Sequence, residues 1–94
     1  MYVIVRRDLS ISQRSIQAGH ALAEILLYGP FHRWTNGTLI YLGVKDLRQL
    51  EKLKRKFNLD GISYTEFREP DINNEATAIA TVGINKHVKK LNLL

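Results

Sequence analysis

Apolar and polar positions change their period along this chain, and each change marks an element. Residues 2–6 are aromatic and β-branched with a polar exit, the composition of a strand. From Ser10 the period lengthens to that of a helix running to about Tyr28. Ser10 followed by Gln13 fits a capping box, and Ser12 is a second N-cap candidate. Gly29-Pro30 stops this helix, because proline cannot continue it and disfavours the helical region for the residue before it. A loop carrying His32, Arg33 and Trp34 then reaches an Asn36-Gly37 turn. Residues 38–44 are almost all apolar, as in a strand buried on both faces. Asp46 with Gln49 opens a second helix. Its stripe of Leu47, Leu50, Leu53 and Phe57 opposes a basic face of Arg48, Lys52, Arg55 and Lys56. Beyond the Asp60-Gly61 turn, residues 62–67 predict a third strand and 68–75 a polar loop. Residues 76–82 predict a fourth strand, with Ala78 and Ala80 on one face and Thr77, Ile79 and Thr81 on the other. A short basic helical end carries Lys86, His87, Lys89 and Lys90.

Strands alternating with helices predict right-handed crossovers and a largely parallel sheet. The short loop between the last two strands makes the sheet mixed. The expected fold is therefore α/β: a three-layer α/β/α domain around a four-stranded mixed sheet, in the order strand, helix, strand, helix, strand, strand. At 94 residues it is one domain, residues 1–94. Ligands in such sheets bind outside the carboxyl ends of the parallel strands. Those ends lead into Arg6-Asp8, Lys45 and Arg68-Asp71.

The first helix carries the most chemistry. At about 100° per residue, Ile16, Gly19, Leu22, Ala23, Leu26 and Leu27 gather on one broad apolar face, extended by Ser15, Ala18 and Ile25, and this face is expected to pack on the sheet. Gln13, Gln17, His20 and Glu24 form a polar band at its border, so they are expected to line the seam between helix and sheet. Glu24 lies one turn beyond His20 and is placed to orient its imidazole. Gly19 costs about 1 kcal/mol against alanine inside a helix, which suggests a close approach there.

Composition adds three constraints. The absence of cysteine excludes disulfides and thiolate metal sites, and His20, His32 and His87 lack metal-ligand spacing, so no metal or cofactor is expected. No apolar run reaches membrane-spanning length and no secretory pattern opens the chain, so the expected setting is the cytoplasm. The net charge of +5 and pI of about 9.8 favour a polyanionic partner such as nucleic acid.

The segment Gln17-Ala18-Gly19-His20-Ala21 resembles the Q-x-x-H-A signature of the type 2 (archaeal/eukaryotic-type) peptidyl-tRNA hydrolases. It follows Arg6-Arg7-Asp8-Leu9, similar to that family's R-x-D-L sequence, on the first helix as in the family. Trp34 in the helix-to-strand loop, the Leu-rich second helix, Arg68-Glu69 after the third strand and Thr77-Ala78-Ile79-Ala80 in the last extend the likeness over nearly the whole chain. The resemblance implies hydrolysis, without a metal, of the ester joining a peptide to the 3′ end of tRNA. It carries Gln17, His20 and Thr77 into the catalytic set, with Asp71 or Glu69 as the acid. Two departures stand out. Gln13 replaces the family's lysine four residues before the signature glutamine, and the family's D-A-G-x-T loop is altered in residues 69–75.

In this reading His20 activates water or polarises the ester, and Gln17 and Gln13 donate hydrogen bonds to the carbonyl or the terminal ribose. Thr77 positions water. Arg6, Arg7, Arg14, Arg33 and the basic tail meet tRNA phosphates, while Trp34 either stacks on an unpaired base or covers the helix end. Two other readings remain open. A domain with Gln13 in place of lysine would bind tRNA without cleaving it. A structural protein would use its apolar tail, Leu91, Leu93 and Leu94, either on its own core or to join two subunits as a homodimer.

Overall fold

The strand β1 (Tyr2–Arg6) is half-buried at Tyr2 and buried at every later position, because it lies in the middle of the sheet. The computed structural model describes residues 1–29 and 34–94. After β1 come α1 (Ile11–Tyr28), β2 (Ile40–Val44), α2 (Leu47–Leu59), β3 (Thr65–Glu69), β4 (Glu75–Thr81) and β5 (Asn92–Leu93). Single 3-10 turns lie at Pro70–Ile72 and Val88–Lys90. The strand order is β3-β4-β1-β2-β5. β1 and β2 are parallel, and the β1–β4, β3–β4 and β2–β5 pairs are antiparallel. The α/β class with a mixed sheet therefore holds.

The strand count does not hold. A fifth strand pairs Leu93 with Leu42 and Asn92 with Gly43. Two residues are too few to show an alternating pattern, so the tail carried no strand signal. It packs on its own core: Leu91 joins the cluster around Leu50 and Phe57, Leu94 the cluster around Val3 and Val5, and Leu93 points to solvent. The third strand also begins later than expected. Gly61 turns with φ 66°, and Ile62 and Tyr64 pack into the core before the ladder starts at Thr65.

Alternate residues of β1 face opposite ways. Ile4 meets Leu42, Leu50, Leu53, Phe57 and Ile79 beneath α2. Val3 and Val5 meet Ala18, Ala21, Ile25, Ala78 and Ala80 beneath α1. That second surface is made of small side chains, and it selects the face of α1 that approaches. The helix buries Gln17, Ala18, Ala21 and Ile25, so the expected apolar face meets the sheet by its extension at Ala18 and Ile25 and not by its centre. Ile16, Leu26 and Leu27 are 46%, 42% and 68% exposed. Alanines let the helix axis come close to a floor of valine and alanine, where a row of leucines would hold it off. Gly19 is exposed, and a Cβ there would touch nothing within 4 Å, so no close approach explains it.

The register of β3 on β4 slips by one residue. Phe67 opposes Ala78 and Arg68 opposes Ala76, leaving Thr77 as the extra residue of a β-bulge. The bulge overturns strict alternation in this strand: Thr77 turns to the α1 side with Ala78 and meets Gln17 there. No described helix is long and apolar enough to cross a membrane.

Candidate functional site

Ser10 fixes the start of α1 by accepting a hydrogen bond from the Gln13 N–H at 3.2 Å. This cap sets the phase that stacks Gln13 and Gln17 one turn apart. The Gln17 side chain is fully buried, and every polar atom in it is used. Its Nε2 donates to Glu69 Oε2 at 2.8 Å and to Gln13 Oε1 at 3.2 Å. Its Oε1 accepts from the Thr77 hydroxyl at 2.7 Å. A buried carboxamide left unpaired would be costly, which explains why three elements converge on this one.

Glu69 ends β3, which runs in the same direction as β1, so the acid stands at the carboxyl end of the sheet. Its other oxygen, Oε1, accepts from the Asp71 N–H at 3.3 Å, capping the Pro70–Ile72 turn. The chain leaves that turn through Asn73 and Asn74, both left-handed at φ 51° and 57°. This is a conformation that asparagine tolerates better than most residues. Hydrogen bonds from Gln17 and from the Asp71 backbone, with the nearby His20, hold the Glu69 carboxyl below its ordinary value.

The His20 ring packs on Phe67, with centroids 4.3 Å apart. Its Nδ1 lies 4.0 Å from Glu69 Oε2, in ion-pair range but too far for a hydrogen bond. The carboxylate beside His20 is therefore Glu69, and among the described residues Glu24 makes no ion pair with it. Gln13, Ile16, His20, Glu69, Asp71 and Ile72 line a cleft of about 500 Å³. Its walls combine two isoleucines with a carboxamide, an imidazole and two carboxylates. This set can bind an apolar group and manage a proton beside it.

Several sequence expectations change in place or role. Gln13, His20, Glu69 and Asp71 do come together at the cleft. Gln17 and Thr77 stand behind it, with Gln17 spending both N–H groups on protein and Thr77 fully buried. Through these bonds Thr77 and Gln17 hold Glu69 and Gln13 in place. Of the two candidate acids, Glu69 is the one tied to Gln17 and near His20, while the Asp71 side chain is exposed at the rim.

The arginines near the site are already engaged. Arg6 forks onto Asp8 at 3.0 and 2.8 Å and reaches Glu75 at 2.7 Å, on the α2 side of the sheet. These partners raise its pKa further, Asp8 foremost, and the Arg6 hydrogen bonds hold Asp8 below its usual value. Arg7 lies against Gly43 and donates to the carbonyls of Asn92 and Leu93. Arg14 donates to the carbonyls of Leu9 at 3.0 Å and Arg7 at 2.5 Å, bracing the β1–α1 loop. The half-buried Trp34 donates to Thr38 O at 2.7 Å and packs near Met1, at the far end of β1 from the cleft. Arg33 lies outside the described residues.

Sequence reasoning missed Ile16 and Ile72 as cleft walls and Phe67 as the platform of His20. Ile16 had a signal, one turn before His20. Phe67 had none, since its meeting with His20 depends on how β3 sits under α1. Among the described residues no group of three or more His, Asp or Glu side chains is arranged to hold a metal ion. No protein-family model and no curated protein matches the chain.

Proposed function

We propose that this domain is a hydrolase of the type 2 peptidyl-tRNA hydrolase kind, cleaving the ester between a peptide or N-blocked amino acid and the 3′ end of tRNA, and acting in the cytoplasm without a cofactor. One observation carries the reading. Gln17 of the Q-x-x-H-A segment meets Glu69 through a hydrogen-bond line, Thr77 to Gln17 to Glu69, and His20 of the same segment lies 4.0 Å from that carboxylate at the wall of an open cleft.

In this reading water enters beside His20, which takes a proton as the oxygen attacks the ester carbonyl. Glu69, kept ionised, stabilises the imidazolium from 4.0 Å. Gln13 accepts from Gln17 through Oε1, so its Nε2 is left to donate to the carbonyl oxygen as negative charge develops there. The tetrahedral intermediate then expels the ribose 3′ oxygen, which takes the proton back from His20. The peptide leaves as a carboxylic acid and the tRNA as a free 3′-hydroxyl. Ile16 and Ile72 offer apolar contact to the terminal base or the peptide.

The test follows release of the amino acid from N-blocked aminoacyl-tRNA. His20→Ala is expected to lower kcat by about 10²–10⁴-fold, the usual contribution of a positioned acid or base. Glu69→Gln is expected to lower it without weakening tRNA binding. Full rates in both variants would overturn the assignment.

A second reading has its own support. Among the described residues the cleft lining includes no lysine or arginine, and Arg6, Arg7 and Arg14 are committed elsewhere. A domain that binds tRNA without cleaving it would show a salt-sensitive complex and no ester loss. Gln13→Lys would then restore turnover.

A further inference from the structure

The chain has 14 lysines and arginines, and the structure divides all but Arg33, which lies outside the described residues, into two populations. Those around the cleft are engaged, as described. Arg68 and Lys54 pair with Glu66, and Lys86 lies 3.6 Å from Asp60. The cations whose side chains make neither an ion pair nor a hydrogen bond among the described residues lie elsewhere. Lys45 stands just before α2; Arg48, Lys52, Arg55 and Lys56 lie on it; Lys89 and Lys90 lie in the segment that returns beside it.

On α2 these four side chains fall within an arc of about 100°. All are exposed, while the opposite face holds Leu50, Leu53 and Phe57 in the core. The only acid on the helix, Glu51, turns away to Lys54 at 3.1 Å. A face kept merely soluble mixes charges of both signs. Here Arg48–Lys52, Lys52–Arg55 and Lys52–Lys56 are like-charge neighbours at helical spacing, which repel one another and weaken the helix. Lys52 and Lys56 also rim a basin of about 240 Å³ floored by Val44, Leu53 and Leu91, so the helix and the C-terminal segment form one surface.

We infer that the basic face of α2, continued by Lys89 and Lys90, docks the phosphodiester backbone of a structured RNA on the side of the sheet opposite the cleft. The cations run along the helix for roughly 12 Å at 1.5 Å per residue, which suits a row of phosphates better than one. The helix has its apolar stripe in the core, so it has no apolar face with which to enter a lipid surface. The inference does not depend on the hydrolase reading, since it concerns another face.

The experiment measures binding of a fluorescent, unacylated RNA hairpin by anisotropy across a salt series. Lys52→Gln/Lys56→Gln is compared with the charge-matched pair Arg68→Gln/Lys86→Gln. The first is expected to weaken binding by about tenfold at low salt and to reduce the slope of log K against log salt by about 2, close to one for each phosphate no longer neutralised. The second is expected to change affinity by less than about twofold. Circular dichroism checks folding, and Arg48→Gln/Arg55→Gln provides a second variant on the same face, expected to behave like the first. Equal losses in the α2 and control pairs would show general attraction to charge and overturn the inference, as would no loss in either α2 pair. Tighter binding to phosphatidylserine vesicles than to the hairpin would also overturn it. Because the RNA carries no ester, failure of hydrolysis leaves this result standing, and failure here leaves the hydrolysis test standing.

Discussion

The carboxamide of Gln17 is buried and uses both ends, which makes its partners sensitive to replacement. Thr77→Val would keep the shape of the side chain and remove the hydroxyl, leaving Gln17 Oε1 without a donor in the core. The expected loss is about 1–3 kcal/mol of unfolding free energy, the desolvation penalty of one orphaned acceptor. Thr77→Ser should retain most of that stability. Urea unfolding of the two variants separates the hydrogen bond from the packing. A loss in Thr77→Ser with none in Thr77→Val would show that the methyl group matters and the hydroxyl does not.

At the scale of elements, α1 lies on the sheet by its alanines. Leu27→Gln, on the exposed side, should change stability by no more than about 0.5 kcal/mol. Ala21→Leu should cost about 1–3 kcal/mol by overpacking the floor of Val3, Val5 and Ala80. Hydropathy alone would rank these two the other way, so a pair of chemical melts decides the orientation of the helix. The second helix has a simpler dependence. Asp46 accepts from the Gln49 N–H at 3.0 Å, and Gln49 accepts in return from the Lys45 N–H at 2.7 Å. Asp46→Ala should cost about 1 kcal/mol, or roughly 4–8 °C in Tm for a domain of this size.

The caps, the α2 stripe and β1 were legible in the sequence because each is set by neighbours within a few residues. The orientation of α1, the bulge at Thr77 and the strand at Asn92–Leu93 were not. Each is decided by a surface that exists only after distant segments meet. The candidate site divides along the same line. Gln13, Gln17 and His20 share a helix and could be read together, whereas choosing between Glu69 and Asp71 required the fold.

For the whole molecule, acidic pH is the revealing variable. Asp8 is held down by the Arg6 hydrogen bonds. Burial opposes ionisation of Glu66, but Lys54 and Arg68 outweigh it, and His87 and Lys86 hold down Asp60. Carboxyls depressed on folding bind fewer protons than in the unfolded chain. Their contribution is therefore present above the ordinary values of 3.8 to 4.5 and is lost as pH falls through the lower folded values. Tm should stay level from neutral pH to about 5 and then decline. Asp8→Asn should flatten part of that decline. A decline unchanged in that variant would remove the Arg6 cluster from the account.

The position of β1 also bears on how the chain is made. Its two neighbours in the sheet come from very different times in synthesis. β2 emerges from the ribosome about forty residues behind it, while β4, which pairs Tyr2 with Thr81, follows only about eighty residues behind. At about 5–20 residues per second, the apolar edge of the first strand waits several seconds without its second partner. During that interval it is an open template for any other extended chain. Crowded translation of this protein should therefore carry an aggregation risk that the finished fold, with that edge sealed by Ala78 and Ala80, no longer shows.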